Sequence, residues 1–177
     1  MAMTFSLCLL LVAGLLLLVA AWSDLKRRII PNEVSLAVAL IGLVIRVADG
    51  TWLAGGALAL AIFFAMVMFW RAGLVGGGDV KMLAGCALLV PPAKVAVLLM
   101  AVSFSGGVLA LTYLLLGAWV NWRMRDRRRV PRPGQGRRPA SVPARLMRIE
   151  AWRARHHAGL PYGCAIALGT LLVVAGR

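Results

Sequence analysis

The chain has 177 residues, of which 62% are hydrophobic and 15% charged. Its mean hydropathy is +0.87, more apolar surface than a water-soluble domain of this length can hide. The net charge of +14 would suit a nucleic-acid binder, but 12 of the 20 Lys and Arg residues fall between Arg123 and Arg155 in one polar segment without the folded context of a groove-reading module. No nucleic acid is therefore expected among the partners, and the charge reads as a marker of the cytoplasmic side of a membrane.

A first apolar span over residues 3–23 is too long for the core of a signal peptide, lacks a basic N-terminal region, and is followed by Lys26, Arg27 and Arg28. It reads as a retained helix with the N-terminus outside. A second span is expected over 33–48 and a third over 52–70, joined by a tight turn at Asp49-Gly50-Thr51. Pro31-Asn32 reads as the start of the second helix, with Asn32 as its cap and Glu33 in its first turn. After Arg71 the run Gly73-Leu74-Val75-Gly76-Gly77-Gly78-Asp79 reads as a flexible re-entry at the inner face. A short fourth span over 80–90 ends at Pro91-Pro92, a fifth covers 95–120, and a last one 160–176. The near-continuous apolar runs exclude the alternating pattern of a barrel strand. The expected fold is therefore all-α: a polytopic membrane bundle of about six transmembrane helices forming a single membrane-embedded domain over 1–177, with an Arg-rich cytoplasmic loop at 121–158.

Loop charges test this map independently of hydropathy. Lys26, Arg27, Arg28, Arg71, Lys81 and the Arg-rich segment fall inside, against Arg46, Lys94 and Arg177 outside. Within the loop, residues 130–143 are expected to be disordered. Leu146, Ile149 and Trp152 admit either an interfacial helix on anionic lipid or a solvated linker. His156-His157 reads as solvent-facing. Cys8, Cys86 and Cys164 are far apart with no CxxC pair, so they are expected to be buried, inert thiols, with no zinc site, disulfide or other cofactor implied.

Of six acidic residues, Asp24 ends the first span and Asp79 closes the glycine run. Counting crossings brings both to the cytoplasmic boundary, at the same depth. Ionisable groups there are costly and usually have a partner or a function. Two neighbouring carboxylates do not both ionise easily, so the pair holds one proton. That is what an aspartic protease needs: one carboxylate takes a proton from the attacking water and the other supports the developing oxyanion. Gly76, Gly77 and Gly78, lacking Cβ atoms, allow unusual dihedrals and let an extended substrate backbone come close. Taken alone, the same glycines also suit a hinge or a close helix crossing. Lys81 either lowers the Asp79 pKa or sits at the interface.

Three stretches together carry a resemblance: Asp24-Leu25-Lys26-Arg27-Arg28-Ile29-Ile30-Pro31-Asn32, then Gly76-Gly77-Gly78-Asp79-Val80-Lys81, and more weakly Leu160-Pro161-Tyr162-Gly163-Cys164-Ala165-Ile166-Ala167. In their order and spacing they resemble the type IV prepilin peptidase family, membrane aspartic proteases with a GxGD motif. The chain is most similar to the short members that serve Flp or tight-adherence pili. The resemblance implies Asp24 and Asp79 as the catalytic pair. The expected substrate-binding set is Gly76, Gly77, Gly78, Lys81 and Asn32. It also implies a pilin-like precursor as substrate, cut at the cytoplasmic face of the bacterial inner membrane, and no methylation, since the paired-cysteine domain of longer relatives is missing from these residues. A basic loop would repel basic leaders, so anionic lipid of the bilayer is its expected partner. The competing readings are a proton-coupled transporter, against which the lack of an internal repeat argues, and a non-catalytic membrane scaffold.

Overall fold

The computed structural model describes residues 2–125 and 161–176, with side chains for 6–119 and 161–176. The expectations for 130–143, 144–157 and His156-His157 lie outside the described residues. Among the described residues six α-helices follow one another: α1 (Ala2–Arg27), α2 (Asn32–Ala48), α3 (Trp52–Arg71), α4 (Gly77–Leu89), α5 (Val95–Arg125), preceded by a 3-10 turn at Pro92–Lys94, and α6 (Tyr162–Ala175). Among the described residues three stretches are long and apolar enough to cross a bilayer: Ser6–Arg27, Trp52–Arg71 and Pro92–Trp119; Tyr162–Ala175 is apolar but shorter. The large hydrophobic residues that these helices expose, such as Leu7, Leu11, Leu15, Leu18 and Trp22 on α1, recur at helical spacing. In water so much contiguous apolar surface would drive association; in lipid it is ordinary solvation, and the chain is an integral membrane protein.

Residues 1–106 and 161–177 form one compact unit and residues 107–160 a second. In the described part of the second, α5 continues to Arg125 and exposes Leu111, Leu114 and Trp119.

At the centre of the first unit lies α4. Val80, Met82, Leu83, Gly85, Cys86, Ala87 and Leu89 are all buried, so this 13-residue helix is apolar nearly all round because protein, and not lipid, surrounds it. It packs against α2, α3 and α6. Small residues set how closely: a Cβ on Gly42 would lie 2.6 Å from Leu88 Cβ, and one on Gly85 would lie 3.3 Å from the carbonyl oxygen of Ser35. Lipid supplies little hydrophobic drive between helices, so close backbone approach and dispersion hold such a crossing. The crossing of α6 on α5 uses the same device, with Gly169 against the backbone of Val102.

Local chemistry ends the helices. The α2–α3 turn is as tight as expected, with Gly50 in the left-handed region at φ +69°. Helix α3 closes with Gly73 at φ +73°; the amide of Gly73 donates to Trp70 O and that of Leu74 to Phe69 O, the paired bonds of a Schellman cap. Three details differ from the sequence reading. Helix α1 continues past Ser23 to Arg27, so Asp24 sits inside its last turn. Pro31, and not Asn32, is the N-cap residue of α2, and no side chain caps that end; proline's fixed φ and missing N–H suit a chain about to turn into a helix. Of the thiols, Cys86 is buried but Cys8 is exposed on the apolar flank of α1.

Candidate active site

Asp24 is 6% exposed, on the last turn of α1. Its Oδ2 accepts a hydrogen bond of 2.8 Å from the backbone amide of Gly163, in the first turn of α6. Next to this contact, Cys164 Sγ lies 3.4 Å from Ala21 O, one turn earlier on α1. Helix α1 then stops abruptly. Arg28 takes a left-handed conformation at φ 58°, its amide still reaching Asp24 O at 2.9 Å, and Ser23 Oγ donates to Ile29 O at 2.8 Å. The left-handed region is uncommon for a residue with a Cβ. Here it turns the chain so that Ile30 points back into the protein, where it is buried.

Ile30 acts as a wedge between two helix starts. A Cβ on Gly78 would lie 3.2 Å from Ile30 Cβ, and one on Gly163 would lie 2.9 Å from Ile30 Cδ1. The first turns of α4 and α6 therefore both close on the segment that follows Asp24. In this way Asp79, the third residue of α4, is brought to Asp24 from 55 positions away in the chain.

Asp79 is half-buried, and its Oδ2 accepts a bond of 3.3 Å from the Gly76 amide, the reach of an N3 side chain back to its N-cap. Its carboxyl is pushed up from 3.8 to about 6, first by burial and then by the charge of Asp24, with the Gly76 bond pulling weakly the other way. A carboxyl near 6 gains and loses its proton within reach of neutral pH, which suits general acid-base work. Asp79, in the first turn of α4, thus feels the charge of Asp24, in the last turn of α1.

The glycine run does something other than expected. Gly76 is extended at φ −76° and ψ 146°, and neither Gly77 nor Gly78 has positive φ; both lie within α4. Unusual dihedrals are not what these positions use. They serve as places of close approach: Gly78 meets Ile30, while a Cβ on Gly77 would lie 3.4 Å from Trp70 Nε1 at the end of α3. Lys81, one turn beyond, is exposed and donates to Asn32 Oδ1 at 3.1 Å. This Lys81–Asn32 bridge stands at one end of a mostly apolar cavity of about 660 Å³ between α2, α3 and α4, lined among others by Ser35, Leu36, Phe63 and Leu88. All the site residues named from sequence, Asp24, Asn32, Gly76, Gly77, Gly78, Asp79 and Lys81, stand at the same end of the first unit.

Two residues at this end were not among them. Ile30 had no signal beyond its place in the Asp24-to-Asn32 stretch of the resemblance. Gly163 had one: a glycine two places after a proline at the start of an apolar run is where a helix's open amides lie.

The sequence model of the type IV leader peptidase family matches residues 11–111, more than half of the chain and the part that carries both aspartates. No curated protein and no solved structure matches. The chain belongs to the type IV leader peptidase family, and is an aspartic-type peptidase that removes the leader peptide from prepilins.

Proposed function

We propose that Asp24 and Asp79 are the catalytic pair, acting on a pilin-like precursor at the cytoplasmic face of the bacterial inner membrane. The observation that carries this reading is the influence of Asp24 on the Asp79 carboxyl, two acids that only the folded chain brings within each other's field. Asp24, already accepting an amide proton at Oδ2, takes the proton from a water that attacks the scissile carbonyl carbon. Asp79 gives its proton to the carbonyl oxygen, and a tetrahedral diol forms. As the C–N bond breaks, Asp24 passes its proton to the departing amine and Asp79 recovers one from the diol, leaving a free carboxyl on the leader and a free amine on the mature chain.

Gly76, Gly77 and Gly78 offer a bare helix start beside Asp79 for the substrate backbone, and Lys81 with Asn32 marks the edge where the precursor arrives. The cavity beyond them is mostly apolar, and within a bilayer a chain must satisfy its own backbone hydrogen bonds. A precursor segment lying along it would do so as a helix.

The orientation proposed is six crossings with the N-terminus outside. It is supported by the basic residues near the site end, Lys26, Arg27, Arg28, Arg71 and Lys81, against Arg46 and Lys94 near the other. The Arg46–Asp49 pair and the Lys94–Gly176 bond, with Nζ to O at 3.2 Å, lie at that other end. Within the family the proposed type is the short Flp, or tight-adherence, one. The whole chain is proposed to work as one membrane-embedded peptidase domain, with the Arg-rich segment lying on anionic lipid; residues 121–125 of the loop expected at 121–158 belong instead to α5.

Co-expression with Flp-type and long-type precursors tests the reading. Leader removal should be seen with the Flp type and be lost in Asp24→Asn and in Asp79→Asn. Full processing by both variants would refute the pair, and equal processing of both precursors would refute the subtype. Deleting residues 125–155 should weaken binding to anionic vesicles while leaving cleavage mostly intact.

A further inference from the structure

Gly163 lies outside the family-matched stretch 11–111, yet its amide makes the 2.8 Å hydrogen bond that Asp24 Oδ2 accepts, in a buried setting. Three features belong together. The amide is among the first of α6, so no carbonyl earlier in that helix can take it, and the aligned peptide dipoles give this end partial positive charge. No side chain fits there: a Cβ would stand 2.9 Å from Asp24 Oδ2 and 3.0 Å from Asp24 Cβ. The neighbouring contact of Cys164 with Ala21 O holds α6 in register on α1, so the amide keeps its place opposite the carboxylate.

A carboxylate that is to take a proton from water must be correctly turned. A fixed donor on one oxygen restricts the side-chain torsions and so sets the direction in which the carboxylate faces the reaction. We infer that Gly163 is a positioning residue of this peptidase: its unobstructed amide holds Asp24 in the orientation from which the carboxylate works. The inference rests on the reading of Asp24 as catalytic, and it adds the start of α6 to a site otherwise built from α1 and α4.

The alternative role for Gly163 is packing, since the same Cβ would also meet Ile30 Cδ1 at 2.9 Å. Variants of the full chain, purified in detergent and assayed on a precursor, separate the two. Displacing a reacting group by a fraction of an ångström to 1 Å typically lowers turnover by up to about 10²-fold. Gly163→Ala should therefore reduce kcat by roughly 10- to 100-fold with KM little changed. Adding Ile30→Val, which removes Cδ1 and with it the packing clash, should leave kcat low. Recovery of kcat in the double variant, or wild-type kcat in Gly163→Ala alone, would overturn the inference. If Gly163→Ala does not accumulate as folded protein, glycolic acid at position 163 replaces the amide N–H with an ester oxygen and adds no bulk. That chain should show the same loss of kcat, and normal turnover would overturn the inference. Asp24→Asn, assayed beside these, guards the underlying reading: if it is fully active, the catalytic assignment itself fails, whatever Gly163 does.

Discussion

Charged side chains are buried at both ends of the helix bundle, and their surroundings differ in kind. At the α2–α3 turn the Arg46 side chain is 1% exposed, with Nη2 3.0 Å from Asp49 Oδ2 and Nη1 3.2 Å from Thr51 Oγ1; its methylenes lie over Gly55, which has no Cβ to push them away. Opposite charge answers charge, and the outcome is a fixed turn. At the far end Asp24 is 6% exposed and its charge acts on another acid, Asp79, whose carboxyl rises to about 6 through burial first and that charge second. A charge met by its opposite settles into structure, whereas a charge met by its like keeps a proton in play.

The largest effects should come from breaking the acid pair. Asp24→Asn and Asp79→Asn each keep the side chain's size and remove its acid-base chemistry, so leader cleavage should fall by about 10³-fold or more while the helical circular-dichroism signal persists. Cleavage within tenfold of wild type in either variant would end the comparison, because the like-charge end would then be structural too.

The opposite end should respond in stability and not in rate. Asp49→Ala leaves the Arg46 guanidinium buried with only Thr51 to answer it. The expected loss is roughly 2 kcal/mol, below the usual range for orphaning a buried charge because the Asp49 side chain is itself 44% exposed. Denaturation in mixed micelles measures it, and turnover of the remaining folded protein should be unchanged.

A third variant sharpens the contrast through pH. The folded chain holds the Asp79 proton to about 6 against 3.8 for a free carboxyl, so it binds that proton more tightly than the unfolded chain does. Stability from this group is therefore fully present below about 4, declines as pH rises toward 6, and stays lower above that. Asp79→Asn should melt a few degrees higher than the parent at about pH 7, with the gain fading as pH is lowered through this window. A variant that melts lower than the parent at neutral pH would show that Asp79 stabilises the fold, and the two ends would be alike after all.

Smallest of all should be the effect of cutting the Lys81–Asn32 bridge. Both side chains are exposed, so Lys81→Ala should change stability by no more than about 0.5 kcal/mol. If the bridge marks where the precursor arrives, KM should rise by up to about tenfold, the worth of one hydrogen bond, with kcat unaffected. An unaltered KM would remove Lys81 and Asn32 from the binding set.

Much of the site was legible without coordinates because costly residues in an apolar chain stand out. Asp24 and Asp79 needed only their rarity and a count of crossings, and Gly76 to Gly78 only their run. What misled was the inference from glycine to flexibility. The sequence pattern of a loop and that of a bare helix start are the same here, and packing against Ile30 and Trp70 makes it the second. Asn32 misled in a similar way: an asparagine beside a proline fits a helix cap, but Lys81 engages its side chain from another helix. Ile30 could not be singled out in a chain full of aliphatic residues.

The residue order by itself determined that the chain lives in lipid, where it bends, which side groups are charged, and that two acids would come to a common boundary. Those are local properties: hydropathy summed over a helix length, proline and glycine at the ends, charge on the loops. Only the tertiary structure decided that α4 is enclosed by its neighbours, that the starts of α4 and α6 close on the segment after Asp24, and that a backbone amide 139 positions away holds the Asp24 carboxylate. An amide carries no mark in the sequence, since every residue but proline has one. Its use as a ligand depends on being left open at a helix start and on what another helix brings opposite it.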